Sequence, residues 1–156
     1  MKTYLTIATA AVLSFAAVPN ISAHCQIPCG IYTDDTVLKD LHTHQETIAK
    51  AMKEIADLSK DPGKNANQLT RWVMNKEDHA SKIQQTMLDY FLAQRLKTEE
   101  MESDKEAYLD KLALCHNVIV LAMKCKQTAD PENATKLHAA IDKFATAYSA
   151  AQAKKG

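Results

Sequence analysis

The chain is poor in the residues that interrupt helices, with three glycines and four prolines among 156 residues. After residue 23, prolines occur only at 28, 62 and 131, and glycines only at 30, 63 and 156. The long stretches between them are rich in Ala, Leu, Lys, Glu, Gln and Met, which favour helix. No stretch alternates polar and apolar residues for long enough to indicate a β-strand. The sequence therefore predicts an all-α protein.

The chain also lacks an excess of charge of either sign, since 19 Lys and Arg stand against 19 Asp and Glu. Neither a basic stripe nor an acidic tail is present, so we expect no nucleic-acid partner. Cysteine is scarce as well, and four widely spaced cysteines do not make a disulfide scaffold. They are Cys25, Cys29, Cys115 and Cys125.

Residues 1–23 have the features of a removable leader peptide. A lysine near the start precedes an apolar run at residues 5–18, and the small residue Ala23 offers a cleavage point. The run of about 14 apolar residues is shorter than the roughly 20 needed to span a bilayer. Cleavage after Ala23 would leave one domain, residues 24–156, that starts at His24 and has no membrane segment. The alternatives are an uncleaved anchor and a start codon placed too far upstream.

The first two helices are indicated by apolar residues at spacings of three, four and seven. The first starts at Asp34 or Asp35, whose carboxylates suit an N-terminal cap, and ends at residues 61–63. Its apolar face comprises Leu38, Leu41, Ile48, Met52 and Ile55. The second helix carries Leu69, Trp72, Val73, Ala80, Ile83, Met87, Tyr90 and Phe91 on its inner face.

Two further helices follow. Ser103 with Glu106 resembles a capping box, so the third helix is expected to start there. Its inner face would hold Leu109, Leu112, Cys115 or His116, Ile119 and Met123. Asp130 followed by Pro131 begins the fourth, which buries Leu137, Ile141, Phe144 and Tyr148. Four helices with short connections predict an antiparallel four-helix bundle, preceded by the segment 24–32.

Residues 24–32, which we call the hook, read His-Cys-Gln-Ile-Pro-Cys-Gly-Ile-Tyr and form a candidate metal site. A free amine at His24 and the amide of Cys25 can close one five-membered chelate ring, and that amide with the Cys25 thiolate closes a second. Cys29 can supply a fourth planar ligand, while the His24 imidazole approaches from an axial side. Planar nitrogen and sulfur donors suit Ni(II) or Cu(II), whereas zinc prefers a tetrahedron. Anionic sulfur and amide donors also make cycling between Ni(II) and Ni(III) chemically reasonable.

The pattern His-Cys-x-x-Pro-Cys-Gly-x-Tyr at a processed N-terminus resembles the nickel superoxide dismutases. A looser similarity extends to Thr70-Arg71, Lys76-Glu77 and Asp89-Tyr90-Phe91. The resemblance implies that His24, Cys25 and Cys29 bind one nickel ion per subunit. It also implies catalytic roles for His24, as the axial imidazole, and for Tyr32, which would order small anions over the open face.

In that family, nickel cycles between Ni(II) and Ni(III) and converts superoxide to oxygen and hydrogen peroxide. The resemblance further implies a homohexamer of four-helix bundles and a peptidase that exposes His24. A carboxylate and an arginine steady the axial imidazole in the family, and these places fall on Asp40 and His79. Tyr90 corresponds to a second tyrosine near the site.

Two other functions remain open. The hook could capture or deliver nickel or copper without turnover in an exported protein, or Cys25 and Cys29 could form a disulfide on a purely structural bundle. Tyr32 and the length of the bundle favour the enzyme. The leader indicates export, for example to the periplasm, and the alternative is trimming of the leader inside the cytoplasm.

The remaining histidines and cysteines have simpler interpretations. We expect Cys115 in the core, and Cys115 and Cys125 are too far apart, at about 15 Å along a helix, to pair with each other. His42, His44 and His138 are expected on the solvated surface.

Overall fold

A computed structural model of the chain describes residues 33–153. The leader and the hook lie outside the described residues. Within 33–153 the chain forms helices and no strand, which confirms the all-α prediction. None of the helices in this range combines the length and apolar character needed to cross a membrane.

Four long helical segments form an antiparallel four-helix bundle. Helix α1 spans Asp34–Leu58, and α2 spans Pro62–Gln85 and continues directly into a π-helix at Thr86–Arg95. After the short helix α3, Glu100–Ser103, the chain forms α4, Lys105–Gln127, and α5, Pro131–Ala153. Each long segment packs against the next one in sequence, and α1 packs against α5, so the bundle is closed. The short connections make successive helices antiparallel.

The start of α1 is capped by Thr33 rather than by an aspartate. The Thr33 hydroxyl accepts a hydrogen bond from the Thr36 amide at 3.4 Å. Asp34 and Asp35 lie in the first helical turn, where a negative charge interacts favourably with the helix dipole. The predicted starting position is therefore correct, and the predicted capping residue is wrong by one position.

The start of α4 lies slightly later than the sequence predicts, since the capping residue is one position after Ser103. Its cap is Asp104, whose carboxylate accepts a hydrogen bond from the Ala107 amide at 3.1 Å. Ser103 instead ends the short helix α3, so the capping box is not formed there. The predicted start of α5 is confirmed, with the Asp130 carboxylate accepting from the Glu132 amide at 3.0 Å.

The buried faces of α1 and α5 are those that the sequence predicts. Every residue predicted for the inner faces of these two helices is buried. In α2, Trp72 is only half-buried and Val73 is 40% exposed, while the later part of the face reaches the core.

The predicted face of α4 is correct in its middle, where Cys115 is buried and Leu112 and Ile119 pack against the core, and wrong at its two ends. Leu109 is 43% exposed and Met123 is 48% exposed. Apolar residues surround α4 on several sides, so their spacing does not single out one face. The buried residues are Tyr108, Lys111, Cys115, Val118, Leu121, Ala122 and Cys125.

A buried lysine connects α2 to the end of α4. Lys76 is 3% exposed, and its ammonium group donates to the carbonyl oxygens of Cys125 at 2.5 Å and Lys126 at 2.8 Å. It also pairs with the Glu77 carboxylate at 2.8 Å. The last carbonyls of a helix have no partner within the helix, so Lys76 satisfies two groups that burial would otherwise leave unpaired.

We expect Lys76→Met to lower the free energy of unfolding by about 2 kcal/mol, because the substitution removes a charged hydrogen-bond donor from buried carbonyls. Urea denaturation of the full chain measures this change. The control is Lys53→Met at an exposed position of α1. Equal losses in the two variants would contradict the capping role.

Candidate functional site

The two cysteines of the bundle have the features of core side chains rather than of metal ligands. Cys115 and Cys125 are free, fully buried side chains. Burial raises the pKa of each thiol to about 11, so both remain protonated at neutral pH. Metals bind the thiolate rather than the thiol. Of the four cysteines in the chain, Cys25 and Cys29, which lie outside the described residues, stay the predicted thiolate ligands.

The four hook residues predicted to form the site, His24, Cys25, Cys29 and Tyr32, lie outside the described residues. The point where the hook joins the bundle is nevertheless defined, because Thr33 follows Tyr32 directly and caps α1. A cavity of about 270 Å³ lies at this end of the bundle, lined by Asp34, Asp35, Tyr148, Ser149 and Gln152.

At the same end of the bundle, the Asp34 carboxylate is hydrogen-bonded to three side chains. Asp34 accepts hydrogen bonds from the hydroxyls of Tyr90 at 2.5 Å and Tyr148 at 2.7 Å, and from Arg95 Nε at 3.0 Å. Arg95 Nη2 also donates to the Tyr90 hydroxyl at 2.8 Å. We call these four residues the Asp34 cluster. Its hydrogen bonds connect the first turn of α1 with the π-helix and with the end of α5.

The pKa values within the Asp34 cluster keep the carboxylate ionised and both tyrosines neutral at neutral pH. Burial alone would raise the pKa of Asp34, but hydrogen bonds from Tyr90, Tyr148 and Arg95 outweigh it and hold the pKa below its ordinary value. Burial and the Asp34 carboxylate raise the pKa values of Tyr90 and Tyr148. The cluster therefore holds one anion, one cation and two neutral phenols at neutral pH.

The π-helix explains how Arg95 reaches the cluster. Tyr90 and Arg95 are five residues apart, which at 3.6 residues per turn places them about 140° apart around a helix. In a π-helix the backbone bonds join residues five apart, so such side chains lie on one side. The Arg95 guanidinium accordingly lies 4.5 Å from the centre of the Tyr90 ring. An α-helical period would place Arg95 away from Tyr90, so the sequence pattern does not indicate Arg95 as a site residue.

The other two residues predicted near the metal are Asp40 of α1 and His79 of α2, and neither is part of the Asp34 cluster. His79 Nδ1 is 3.0 Å from Nδ1 of His44, and both rings are half-buried between α1 and α2. Burial and the nearby His79 lower the pKa of His44, and the charge of Asp40 acts against them. His44 therefore contacts His79 and is influenced by the charge of Asp40, whereas Tyr90 belongs to the Asp34 cluster.

The prediction that His42 and His44 are solvated surface residues is wrong. His44 faces α2 and pairs with His79, while His42 packs edge-on against His138 of α5, with ring centres 5.1 Å apart. A separation of two residues turns the rings toward different neighbouring helices. The signal that could have identified His44 is its position four residues after Asp40, on the same face of α1.

We expect Asp34→Asn to lower the free energy of unfolding at neutral pH by about 2 kcal/mol, since hydrogen bonds to a charged group are lost. Because the folded pKa of Asp34 is below its ordinary value of 3.8, its stabilisation is present above that pH and is lost as the pH falls through the folded pKa. Urea denaturation at neutral pH and at acidic pH should show the wild-type advantage shrinking in acid.

The matched control for this measurement is Asp35→Asn, an exposed carboxylate in the same helical turn. It shares the position near the helix dipole but is outside the Asp34 cluster. A wild-type advantage over Asp34→Asn that stays constant into strong acid would rule out the ionised carboxylate as its source.

The geometry of the described residues defines a class of protein: a closed bundle of long helices whose own two cysteines are buried in the core. The other two cysteines, Cys25 and Cys29, stand in the sequence before the bundle, and two thiolates with amine and imidazole nitrogens would be a donor set that fits nickel.

A family model described as nickel-containing superoxide dismutase matches residues 19–152, which include the whole hook. The chain belongs to this family. It is accordingly an oxidoreductase whose family uses nickel and acts on superoxide. No curated protein and no solved structure matches the chain.

Proposed function

We propose that the mature chain begins at His24 and disproportionates superoxide with one nickel ion held by His24, Cys25 and Cys29. The observation that supports this ligand set is the burial of Cys115 and Cys125. With those thiols protonated inside the bundle, the hook holds the thiolates that a nickel site of this family requires.

When bound, nickel would supply the one-electron couple between Ni(II) and Ni(III), so that two superoxide ions and two protons give oxygen and hydrogen peroxide. The protein supplies ligation, orientation and protons. His24 contributes its amine and imidazole, and Cys25 contributes its amide and thiolate. Tyr32 orders the incoming anion without binding the metal.

The Asp34 cluster supports the base of the hook in this proposal. Thr33 is the residue between Tyr32 and the first turn of α1, and Asp34 is fixed by three hydrogen bonds from two other parts of the bundle. This fixed turn limits the directions in which Tyr32 can leave the bundle. Tyr90 acts near the site through that turn, since its hydroxyl is already bonded to Asp34.

Asp40 and His79 are proposed to hold the imidazole of His24 in position. His79 contacts His44, and the charge of Asp40 acts on the same His44. The nine-residue hook can extend about 30 Å, so it can reach these residues from the start of α1. In place of the family's arginine, His79 offers a ring nitrogen whose charge depends on pH.

The surroundings of the enzyme are proposed from the leader and the family. Export to the periplasm or another compartment would accompany cleavage after Ala23 by a peptidase, with cytoplasmic trimming as the alternative. A homohexamer with each hook against neighbouring subunits would shield the metal. Cell fractionation with N-terminal sequencing determines both the compartment and the first residue.

The experiment that tests the function is nickel analysis together with a superoxide-removal assay on processed protein. We expect one nickel per chain and rapid loss of superoxide. Bound metal without turnover would instead favour a metal-delivery protein, and absence of bound metal would favour a structural bundle with a Cys25–Cys29 disulfide.

A further inference from the structure

A second group of metal-ligating side chains lies away from the hook, where α1 meets α5. His42 of α1 and His138 and Asp142 of α5 each present one ligand atom, and these atoms lie within 4.8 Å of one another. His138 and Asp142 are four residues apart, so they share one helical face. All three side chains are partly open to solvent, which gives a cation access.

The spacing of the ligand atoms fits a bound cation. His42 Nε2 lies 3.4 Å from Asp142 Oδ1, and His138 Nε2 lies 3.5 Å from Asp142 Oδ2. Both distances exceed the usual hydrogen-bond range of about 2.7–3.2 Å. Zinc bonds of about 2.0–2.1 Å in a tetrahedron place neighbouring ligand atoms about 3.3–3.4 Å apart. Each imidazole nitrogen is therefore about as far from its nearer Asp142 oxygen as two neighbouring ligands of such an ion would be, and one ligand atom from each residue lies within 4.8 Å of the others.

A buried glutamine fixes the orientation of His138. Gln45 is 5% exposed, and its Nε2 donates to the Ala134 carbonyl at 2.9 Å. A carbonyl can only accept, so the amide orientation of Gln45 is determined. Its Oε1 then accepts from His138 Nδ1 at 3.1 Å. In the neutral ring the proton is on Nδ1, which leaves a lone pair on Nε2, directed toward Asp142.

This arrangement is the one that metal-binding histidines use, since their second nitrogen donates to a carbonyl or carboxylate that fixes the tautomer. A simple ion pair between His138 and Asp142 does not require the buried amide of Gln45. The donors are two imidazole nitrogens and one carboxylate oxygen, with no sulfur. Imidazole suits zinc, copper, iron and nickel, and a flexible tetrahedral set suits zinc.

We propose that His42, His138 and Asp142 bind a divalent zinc ion, with water in the fourth position. The ion joins α1 to α5 and is independent of the hook and of its metal. Because it binds only the folded arrangement of the two helices, it also stabilises the bundle.

The test uses the full chain carrying Cys25→Ser and Cys29→Ser, so that hook thiolates take no part and the result does not depend on nickel binding. Calorimetric titration with Zn²⁺ is expected to show one site per chain. His138→Ala and Asp142→Asn should each weaken binding by more than about 10-fold, the lower end of the effect of losing an outer partner of a ligand. The control is His116→Ala, an exposed histidine of α4.

Two further readouts separate this site from other zinc binding. Co²⁺ in the same chain should give a visible absorption spectrum without a sulfur charge-transfer band. Zn²⁺ should raise the thermal unfolding temperature of the parent chain and of His116→Ala, and leave that of His138→Ala unchanged. Zinc affinity that is equal in the parent, His138→Ala and Asp142→Asn would overturn the proposal, as would the absence of zinc binding to the parent.

Discussion

A Cys29→Ser variant of the mature chain is expected to lose both bound nickel and superoxide removal. Serine has the shape of cysteine, but its hydroxyl stays protonated at neutral pH and is a poor ligand for nickel. Loss of a direct ligand should lower metal affinity and activity by more than the about 10-fold to 100-fold that follows loss of an outer hydrogen-bond partner of a ligand. Metal analysis and a superoxide-removal assay on the purified variant measure the two losses.

The structure offers a matched control for this substitution. Cys115→Ser changes the same atom in a fully buried thiol whose pKa is about 11. It should keep nickel and activity, provided that circular dichroism shows a folded chain. Full activity in Cys29→Ser would remove that sulfur from the ligand set, and loss of nickel only in Cys115→Ser would place the metal inside the bundle.

The parts of the fold that sequence predicts are those in which one helical face differs clearly from the others. In α1 the predicted apolar residues, from Leu38 to Ile55, are all buried. In α4 apolar residues occur on several sides, and the packing of neighbouring helices selects the face that holds Val118 rather than that of Leu109. Periodicity within one segment contains no information about that selection.

In the candidate site, too, sequence predicts what depends on neighbouring residues and does not predict what depends on the packing of distant helices. The metal site of the hook can be proposed from sequence alone, because its candidate donors are neighbours in the chain and chelate-ring size follows from covalent geometry, and it stays a prediction. The partners of Asp34, by contrast, are 56, 61 and 114 residues away. They meet only when three elements pack, and one of these elements is a π-helix. The pairing of His44 with His79 likewise depends on how α1 packs against α2.

Retention of Ala23 is expected to remove most of the activity, although it changes no side chain of the hook. With one residue before His24, the free amine becomes a peptide amide, and the first chelate ring loses a donor that binds without giving up a proton. The His24 imidazole and both thiolates remain, so a weakened metal affinity is expected together with a slow rate. As with Cys29→Ser, the loss in rate should exceed the about 10-fold to 100-fold effect of losing an outer partner.

The comparison requires a chain that begins at Ala23, a chain that begins at His24, and a control with one alanine added after Gly156. Intact-mass measurement verifies each first residue before the assay. His24→Gln supplies a further contrast, since it keeps the amine and removes only the imidazole, and should therefore retain nickel while turning over more slowly. If the chain that begins at Ala23 removes superoxide as fast as the chain that begins at His24, the terminal amine is not a ligand, and the metal must be bound through a different set of atoms.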